Sequence, residues 1–257
     1  MAASVTPVQS LYGAALQRLN SFSVADAIRY FSGVQLKDYG GIGGLKTINV
    51  RSMGTQHVGV FLDGVSVGNA QNGTVDLGKF SLDNIEAIEL YNGHNPELLQ
   101  PAKAFFASSG LYLQTTRPRF DSSQKKKLRA AFKTGSFGLA NPSFLWQQKL
   151  TDNLSLSANA ELVTAHGRYR FYKQEGLFDT TAIRQNADIT AWRAEAALFK
   201  KINSSGEAFI KSYFYQSNRG LPGAIVENRF YNPQRLWDRN FLYTDLLKTH
   251  FLLNTYS

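Results

Sequence analysis

Apolar and polar residues alternate with a period of two through much of the second half of the chain. Between residues 154 and 162 every even position is apolar and every odd position is polar. Residues 190–198 repeat the pattern, with Trp192 and Leu198 on the face opposite Arg193. Because successive side chains of a strand point to opposite faces, these segments predict strands of a sheet with one apolar and one polar face.

About six such strands are predicted in residues 121–257, and the connections between them alternate in length. Residues 151–153 and 203–206 form short connections, whereas residues 165–188 and 217–236 form long ones. Antiparallel strands joined by alternately short and long loops are typical of outer-membrane β-barrels. A soluble sheet with one wet face shows the same alternation of residues, so the pattern alone leaves both interpretations open.

Residues 1–120 carry a mixed pattern that predicts a small α+β domain. Ser23 and Asp26 have the spacing of a capping box, and apolar residues then recur at helical spacing as far as Gly33. Asp63 and Gly64 lie between two apolar runs and predict a hairpin turn. Further strands are predicted at 34–37, 47–52, 57–63, 85–91 and 110–116, and a short helix at 96–105.

The two parts differ in composition, which predicts a domain boundary near residue 120. Residues 1–120 are rich in glycine and nearly neutral, with 9 Lys+Arg against 8 Asp+Glu. Residues 121–257 hold 19 Lys+Arg against 11 Asp+Glu and most of the aromatic residues, so the net charge of +9 belongs almost entirely to them. We therefore predict two domains, 1–120 and 121–257, joined by a polar and charged segment.

Composition also argues against several classes of protein. The 257 residues include no Cys, which excludes a disulfide scaffold, a thiolate metal site and a Cys nucleophile. No apolar stretch reaches the roughly 18 residues of a membrane-spanning helix, and no export signal is visible at the start of the sequence. The four His are scattered without metal-ligand spacing, so we expect neither a metal nor a cofactor. The basic charge comes without a recognisable nucleic-acid-binding module.

Two glycine motifs look like catalytic or cofactor motifs but lack the necessary context. Residues 64–68 fit the G-x-S-x-G motif of serine hydrolases, which requires a helix after the serine, whereas the following residues are turn-like. Residues 40–46 do not complete a dinucleotide fingerprint, because Lys46 occupies the third glycine position. We therefore expect a protein that is not an enzyme, with a hydrolase built around Ser66 as a minor alternative.

Several motifs of the first domain occur together in one receptor family. The run SVADAIRYFSGVQLKDYGGIGGLKTINVRSMGTQHVGVFLDGVSV is followed by residues 76–93, which end in IEAIELYNG. In these motifs, residues 20–118 resemble the plug domain of TonB-dependent outer-membrane receptors. The chain departs from the family pattern at Ser52, where a glycine usually follows Arg51, and again after Gly93. These departures resemble a variant found in Bacteroidetes receptors labelled as cobalamin receptors.

The resemblance implies a plug domain inside an antiparallel transmembrane barrel of about 22 strands, of which this chain would supply about six. A plug of 120 residues is roughly 35 Å across, which an eight-stranded barrel is too narrow to hold. The implied function is import of a scarce nutrient across the outer membrane of a Gram-negative bacterium. Cobalamin or another corrinoid is the first candidate ligand, and a ferric siderophore is the second. A non-transporting glycan-binding or signalling receptor is the alternative of another class.

The implied partners are TonB, outer-membrane lipids, the nutrient and, as a further candidate, a surface lipoprotein. The short box that TonB grips has no clear match here, and residues 4–8 are at best its remnant. In the family, two plug loops face the outside and sense ligand. The corresponding residues, expected to bind substrate here, are Gly43, Gly44, Leu45, Lys46, Asn69, Gln71 and Asn72. Ordinary flexible turns are the alternative reading of both loops.

Glycine lets a backbone approach a bulky ligand closely, and amide side chains supply donors and acceptors. Both properties suit the two plug loops. Three other residues fall in the plug signatures and are expected to make structural contacts: Arg51, Asp63 and Gly64.

Overall fold

The computed structural model describes residues 8–19, 21–68, 74–93, 101–121, 123–175, 178–203, 206–222 and 234–249. These residues fall into two units, Met1–Thr116 and Arg117–Ser257. The division falls between Thr116 and Arg117. Each unit has its own sheet, and the two are described separately.

Helices are short and confined to the first unit among the described residues. They are α1 (Gly13–Arg18), α2 (Val24–Ile28) and α3 (Ala102–Phe106). Ser23 caps α2 through the predicted capping box, in which its side chain accepts from the Asp26 amide while Asp26 accepts from the Ser23 amide. The helix ends at Ile28, earlier than predicted, and Gly33 then turns the chain into the next strand at a φ of 74°.

The described residues of the first unit contain seven strands. They are β1 (Val8–Tyr12), β2 (Val34–Asp38), β3 (Lys46–Val50), β4 (Val58–Leu62), β5 (Val65–Val67), β6 (Ile85–Tyr91) and β7 (Ser109–Thr115). Five of them form a sheet in the order β1-β6-β7-β4-β5, and β2 pairs with β3 in a separate hairpin. All pairings are antiparallel except that of β4 with β7. The sequence pattern did not predict β1 or α1.

The core of the first unit is formed by buried side chains of α2, of β3 and of the five-stranded sheet. The fully buried side chains include Val24, Ile28, Val50, Val60, Phe61, Leu77, Ile88, Leu90, Leu111 and Leu113. Phe61 stacks on Tyr112 of the neighbouring strand, with ring centroids 4.7 Å apart. All residues of β4 are buried, because the strand is covered on both faces. Such a strand carries a continuous apolar run instead of an alternating pattern.

The second unit is built from eight strands among its described residues. They are β8 (Lys126–Gly135), β9 (Leu139–Lys149), β10 (Leu154–Ala165), β11 (Arg170–Glu175), β12 (Phe178–Ile183), β13 (Ile189–Lys201), β14 (Gly206–Leu221) and β15 (Gln234–Thr249). Six form one antiparallel sheet in the order β15-β14-β13-β10-β9-β8. The six predicted strands are confirmed, and β8 and β15 are the edges of the sheet.

One element of the second unit was missed by the sequence pattern. Residues 165–188 were predicted as a long loop, but β11 and β12 pair there as an antiparallel hairpin from Arg170↔Ile183 to Glu175↔Phe178. The strands are only six residues long. β11 has aromatic and charged residues on both faces and β12 combines polar with apolar residues on both, so their period-two signal is weak. The prediction of one long loop was therefore wrong.

The six-stranded sheet buries its polar face and exposes its apolar face. Trp192, Leu198 and Ile210 are exposed, whereas Arg193, Glu161 and Lys211 are buried on the other side. Soluble sheets normally show the opposite arrangement. No helix within the described residues is long and apolar enough to cross a membrane.

Candidate functional site

The first candidate site is the glycine loop, defined as Gly40–Gly44, which connects β2 to β3. Asp38 begins the loop by accepting hydrogen bonds at Oδ1 from the amides of Gly40 (3.1 Å) and Gly41 (2.8 Å). Residues Gly41–Gly43 form a single 3-10 turn, and the Gly44 amide donates to the Gly41 carbonyl over 3.1 Å. The sequence predicted a soft loop, but these hydrogen bonds close it into a compact turn.

Glycine is required at three positions of this loop for steric reasons. Gly40 and Gly41 have φ values of 152° and 74°, a region that side chains disfavour. A Cβ on Gly44 would collide with the backbone of Gly40. The loop therefore owes its tight shape to its sequence and not to a bound partner.

The side chains beside the loop differ in accessibility. Leu45 is 37% exposed and Tyr39 is 57% exposed, and the two residues face each other across the base of the loop, where the Tyr39 amide donates to the Leu45 carbonyl over 3.0 Å. Gly43 and Gly44 are buried. Tyr39 was not among the predicted site residues, although an aromatic residue next to a Gly-Gly pair in a loop expected to bind ligand was a usable signal.

Lys46, the last predicted residue of this loop, lies in a different environment. Its side chain is only 8% exposed, and its ammonium donates to both carboxylate oxygens of Asp26 at 3.1 and 3.3 Å. The carboxylate of Asp38 lies 4.0 Å from the same ammonium. This placement favours a role inside the unit over the direct ligand contact that the sequence suggested.

Asp76 fixes the start of β3 from the other side. Its Oδ1 accepts from the backbone amide of Lys46 over 3.1 Å and from that of Gly78 over 3.0 Å. The second bond caps the 3-10 turn Leu77–Lys79. The glycine loop is thus held at its first residue by Asp38 and just after its last residue by Asp76.

The other predicted ligand residues, Asn69, Gln71 and Asn72, lie outside the described residues, so the structure brings together only the members from Gly43 to Lys46. Ser66, the serine of the hydrolase-like motif, lies within β5 and pairs with Phe61 of β4. A serine inside a strand lacks the strand-to-helix turn that exposes a hydrolase nucleophile. Among the described residues, no group of three acidic or His side chains is placed to hold a metal ion.

The plug-signature residues have backbone and hydrogen-bonding positions of their own. Arg51 and Ser52 both adopt left-handed conformations, with φ values of 48° and 59°, in the turn after β3. Asp63 and Gly64 form the predicted turn between β4 and β5, with φ values of 50° and 88°. In addition, the carboxylate of Asp63 accepts from both the amide (2.8 Å) and the hydroxyl (2.7 Å) of Thr115.

The second candidate site is the polar face of the six-stranded sheet in the second unit. Glu161 and Arg193 occupy paired positions on β10 and β13 and form an ion pair of 2.9 Å, with side chains 1% and 6% exposed. Asn141 donates to the same Glu161 oxygen over 2.7 Å. The guanidinium of Arg193 also lies 5.7 Å from the centre of the Tyr215 ring. These contacts compensate the cost of burying charge.

A second buried ion pair lies on the next strands of the same face. Lys211 of β14 contacts Glu195 of β13 at 3.0 Å, and both side chains are largely buried. The sequence pattern placed Arg193 opposite the apolar residues, as the structure does, but it did not identify the acidic partner of Arg193. Pairing across strands depends on register, and register follows from the assembled sheet and not from one strand alone.

An aromatic group lies at the end of the sheet where the longer connections emerge. Phe137, which has a φ of 65°, packs against Tyr169 with ring centroids 5.5 Å apart, and Tyr169 packs against Phe171 at 6.2 Å. Phe137 and Tyr169 remain exposed. Tyr169 lies within the long connection predicted at residues 165–188, and its ring contacts link the β11–β12 hairpin to the turn between β8 and β9.

Comparison with known families identifies the first unit. Residues 2–102 match the family model described as the TonB-dependent Receptor Plug Domain. The chain therefore contains a plug domain of the TonB-dependent receptors, as its motifs predicted.

Solved structures of the same architecture cover both units. The siderophore receptor PiuA from Acinetobacter baumannii matches with a TM-score of 0.66 and 11% identity, over 97% of this chain and 34% of that one. A mutant of the ferric enterobactin receptor PfeA from Pseudomonas aeruginosa matches with a TM-score of 0.56 and 16% identity, over 86% and 35% of the two chains. The copper transporter OprC matches with a TM-score of 0.61 and 12% identity, over 82% and 30%. At these identities the likeness shows a common fold, and the chain spans about a third of each structure's length.

Proposed function

We propose that this chain is part of a TonB-dependent outer-membrane receptor that imports a scarce nutrient. The observation that carries the proposal is the presence, in one chain, of a plug domain and an antiparallel sheet that exposes apolar residues and buries ion pairs. An apolar outer face and a polar inner face are what a barrel wall needs when lipid lies on one side and a hydrated lumen on the other.

The proposed location is the outer membrane of a Gram-negative bacterium, with TonB as the energy-coupling partner and outer-membrane lipids around the barrel. The glycine loop of the plug would contact ligand through the exposed side chains of Leu45 and Tyr39. Gly43 and Gly44, which the sequence also suggested as ligand contacts, are buried and would act by shaping the loop. The residues predicted in the second loop, Asn69, Gln71 and Asn72, would add amide donors and acceptors.

The ligand we propose first is cobalamin or another corrinoid, on the strength of the sequence resemblance. A ferric siderophore is the second candidate, supported by the fold shared with siderophore receptors such as PiuA. The exposed aromatic ring of Tyr39 beside the exposed Leu45 offers the kind of apolar and aromatic contact surface that ligand sites commonly provide. The proposal of a receptor does not depend on which of the two binds.

The decisive experiment measures binding and uptake separately, with the protein that the whole gene encodes. Outer-membrane vesicles containing it are titrated with cyanocobalamin and with a panel of ferric siderophores, and uptake of the bound compound is followed in cells with and without TonB. We expect saturable binding and uptake that is lost without TonB. Binding without any uptake would instead indicate a non-transporting surface receptor, and uptake that persists without TonB would refute the proposal.

A pair of variants tests the part assigned to the glycine loop. Leu45→Ala removes three carbon atoms of an exposed apolar contact and is expected to weaken binding by up to about 50-fold, since each carbon group that the ligand covers contributes about 0.8 kcal/mol. Lys37→Ala is the matched control, because Lys37 is exposed on β2 outside the loop. Equal affinities of the two variants would remove the loop from the ligand site.

A further inference from the structure

We propose that Lys46 is a positioning residue that holds the glycine loop in its ligand-receiving shape, through a buried ion-pair relay from α2 to the loop. The role in ligand binding rests on the function proposed above, whereas the role in ordering the loop does not. Lys46 would therefore affect binding without touching the ligand.

The relay begins at the N-terminus of α2. Asp26 accepts at Oδ2 from the amide and the hydroxyl of Ser23, at 3.2 and 2.8 Å, within the capping box. These bonds fix the rotamer of Asp26. Both of its oxygens then receive the ammonium of Lys46, at 3.1 and 3.3 Å. A lysine that is almost fully buried keeps its charge only when it is paired in this way.

The relay continues from Lys46 to the loop through Asp38. Oδ2 of Asp38 lies 4.0 Å from the ammonium of Lys46, while its Oδ1 accepts from the amides of Gly40 and Gly41. Lys46 therefore lies between two carboxylates and offsets their repulsion. The ammonium of Lys46 attracts the carboxylate of Asp38 and so helps to keep it beside the amides of Gly40 and Gly41.

Removing the charge should affect the loop more than the helix. Asp26 has a second cation nearby, the guanidinium of Arg29 at 3.7 Å, and it keeps the capping bonds to Ser23. Asp38 has only Lys46 among the ion pairs formed by described residues. Without that cation, Asp38 faces Asp26 across the vacated space and is expected to swing toward solvent, which releases the amides of Gly40 and Gly41.

The experiment compares four variants of the whole receptor in outer-membrane vesicles. Lys46→Met keeps the length of the side chain and removes the charge, and Lys46→Arg restores the charge. Tyr39→Ala alters a proposed ligand contact, and Lys37→Met changes an exposed lysine of β2. Hydrogen exchange of the peptide covering residues 38–46 is measured without ligand, and binding of cyanocobalamin and of ferric siderophores is measured by titration.

We expect Lys46→Met to raise amide exchange in the loop about tenfold, the effect of losing a hydrogen bond to a charged group, and to weaken binding. Lys46→Arg should recover most of both properties. Tyr39→Ala should weaken binding and leave exchange unchanged, which separates a contact residue from a positioning one. Lys37→Met should change neither.

Two results would overturn the inference: unchanged exchange in the loop of Lys46→Met, or raised exchange in the loop with unaltered binding. If Lys46→Met also raises exchange in the buried strand β4, the unit as a whole is destabilised, and Asp38→Asn then decides. Asp38 is on the surface, so that variant should loosen the loop alone. If the wild-type receptor binds neither probe, the proposed ligands fail, but the exchange comparison still accepts or rejects the role of Lys46 in ordering the loop.

Discussion

Replacing Asp63 by alanine is the sharpest test of how the first unit is stabilised. The Asp63 carboxylate lies at the end of β4 and accepts two hydrogen bonds from Thr115 at the end of β7, while the Asp63 amide donates to the Leu113 carbonyl. The side chain therefore extends the parallel β4–β7 pairing beyond Leu62, where the backbone turns away.

The magnitude follows from the two bonds. Thr115 is buried, so its amide would lose its acceptor in a place with little water, at a cost of about 1–2 kcal/mol. The hydroxyl would lose a charge-assisted bond worth about 1 kcal/mol at a half-buried carboxylate. Asp63→Ala should thus destabilise this end of the sheet by about 2–3 kcal/mol. Asp63→Asn keeps an acceptor for the amide and a donor for the hydroxyl, and should cost less than about 1 kcal/mol.

Hydrogen exchange of residues 111–115 measures this effect in the intact protein. A loss of about 2–3 kcal/mol corresponds to exchange that is faster by about 30-fold to 140-fold, since 1.4 kcal/mol is a factor of ten. Combining Asp63→Ala with Thr115→Val isolates the hydroxyl bond as the coupling energy of a double-mutant cycle. The reasoning is refuted if Asp63→Ala exchanges within about threefold of wild type, or if Asp63→Asn is as damaging as Asp63→Ala.

Three further predictions concern other parts of the chain. Ser52→Gly should stabilise the first unit by about 0.5 kcal/mol, because relief of the left-handed conformation exceeds the added freedom of the unfolded chain; a lower urea midpoint would contradict this. The hydrogen bond from Arg235 lowers the pKa of Asp188 in the folded protein. Asp188 therefore contributes to stability above its unfolded pKa of about 3.9, and this contribution is lost as the pH falls through the lower folded pKa. The thermal stability of Asp188→Asn should not show that loss in acid. Ile210 lies on the exposed apolar face, and Ile210→Arg should lower the yield of folded receptor in the outer membrane, because a charge near the bilayer centre costs about 2–4 kcal/mol. The control Ile210→Phe should keep the yield, and equal yields of the two variants would contradict a lipid-facing position.

Period-two alternation made the strands of the second unit predictable from sequence. The pattern is clearest in β10, where residues 154–162 alternate strictly, and it recurs in residues 190–198 of β13. The six-stranded sheet has the predicted strand number. The β11–β12 hairpin escaped because its strands are short and mixed in composition. β1 was missed for a related reason, since five residues at the edge of a sheet carry little burial signal of their own.

The glycine loop shows what sequence reasoning leaves undetermined at a candidate site. The glycines marked the loop, and their steric need for unusual φ values is a local property that sequence reveals. The environment of Lys46 is different, because it depends on Asp26, twenty residues away, and on the turn that places Asp38 beside it. A lysine next to glycines reads as exposed when only the neighbouring residues are considered, and tertiary contacts reverse that reading.

The topology of the first unit has a consequence for the order of folding. Val8 of β1 pairs with Tyr91 of β6, and Val58 of β4 pairs in parallel with Ser109 of β7. The five-stranded sheet is therefore complete only once β7 is in place, and β1 has no partner strand in this sheet until β6, far along the chain, is available. The long strands of the second unit, by contrast, lie next to one another in the sheet in the order of the sequence. Sequence order and strand order thus agree for the second unit and differ for the first, whose β1 is the strand most exposed to mispairing while the chain folds.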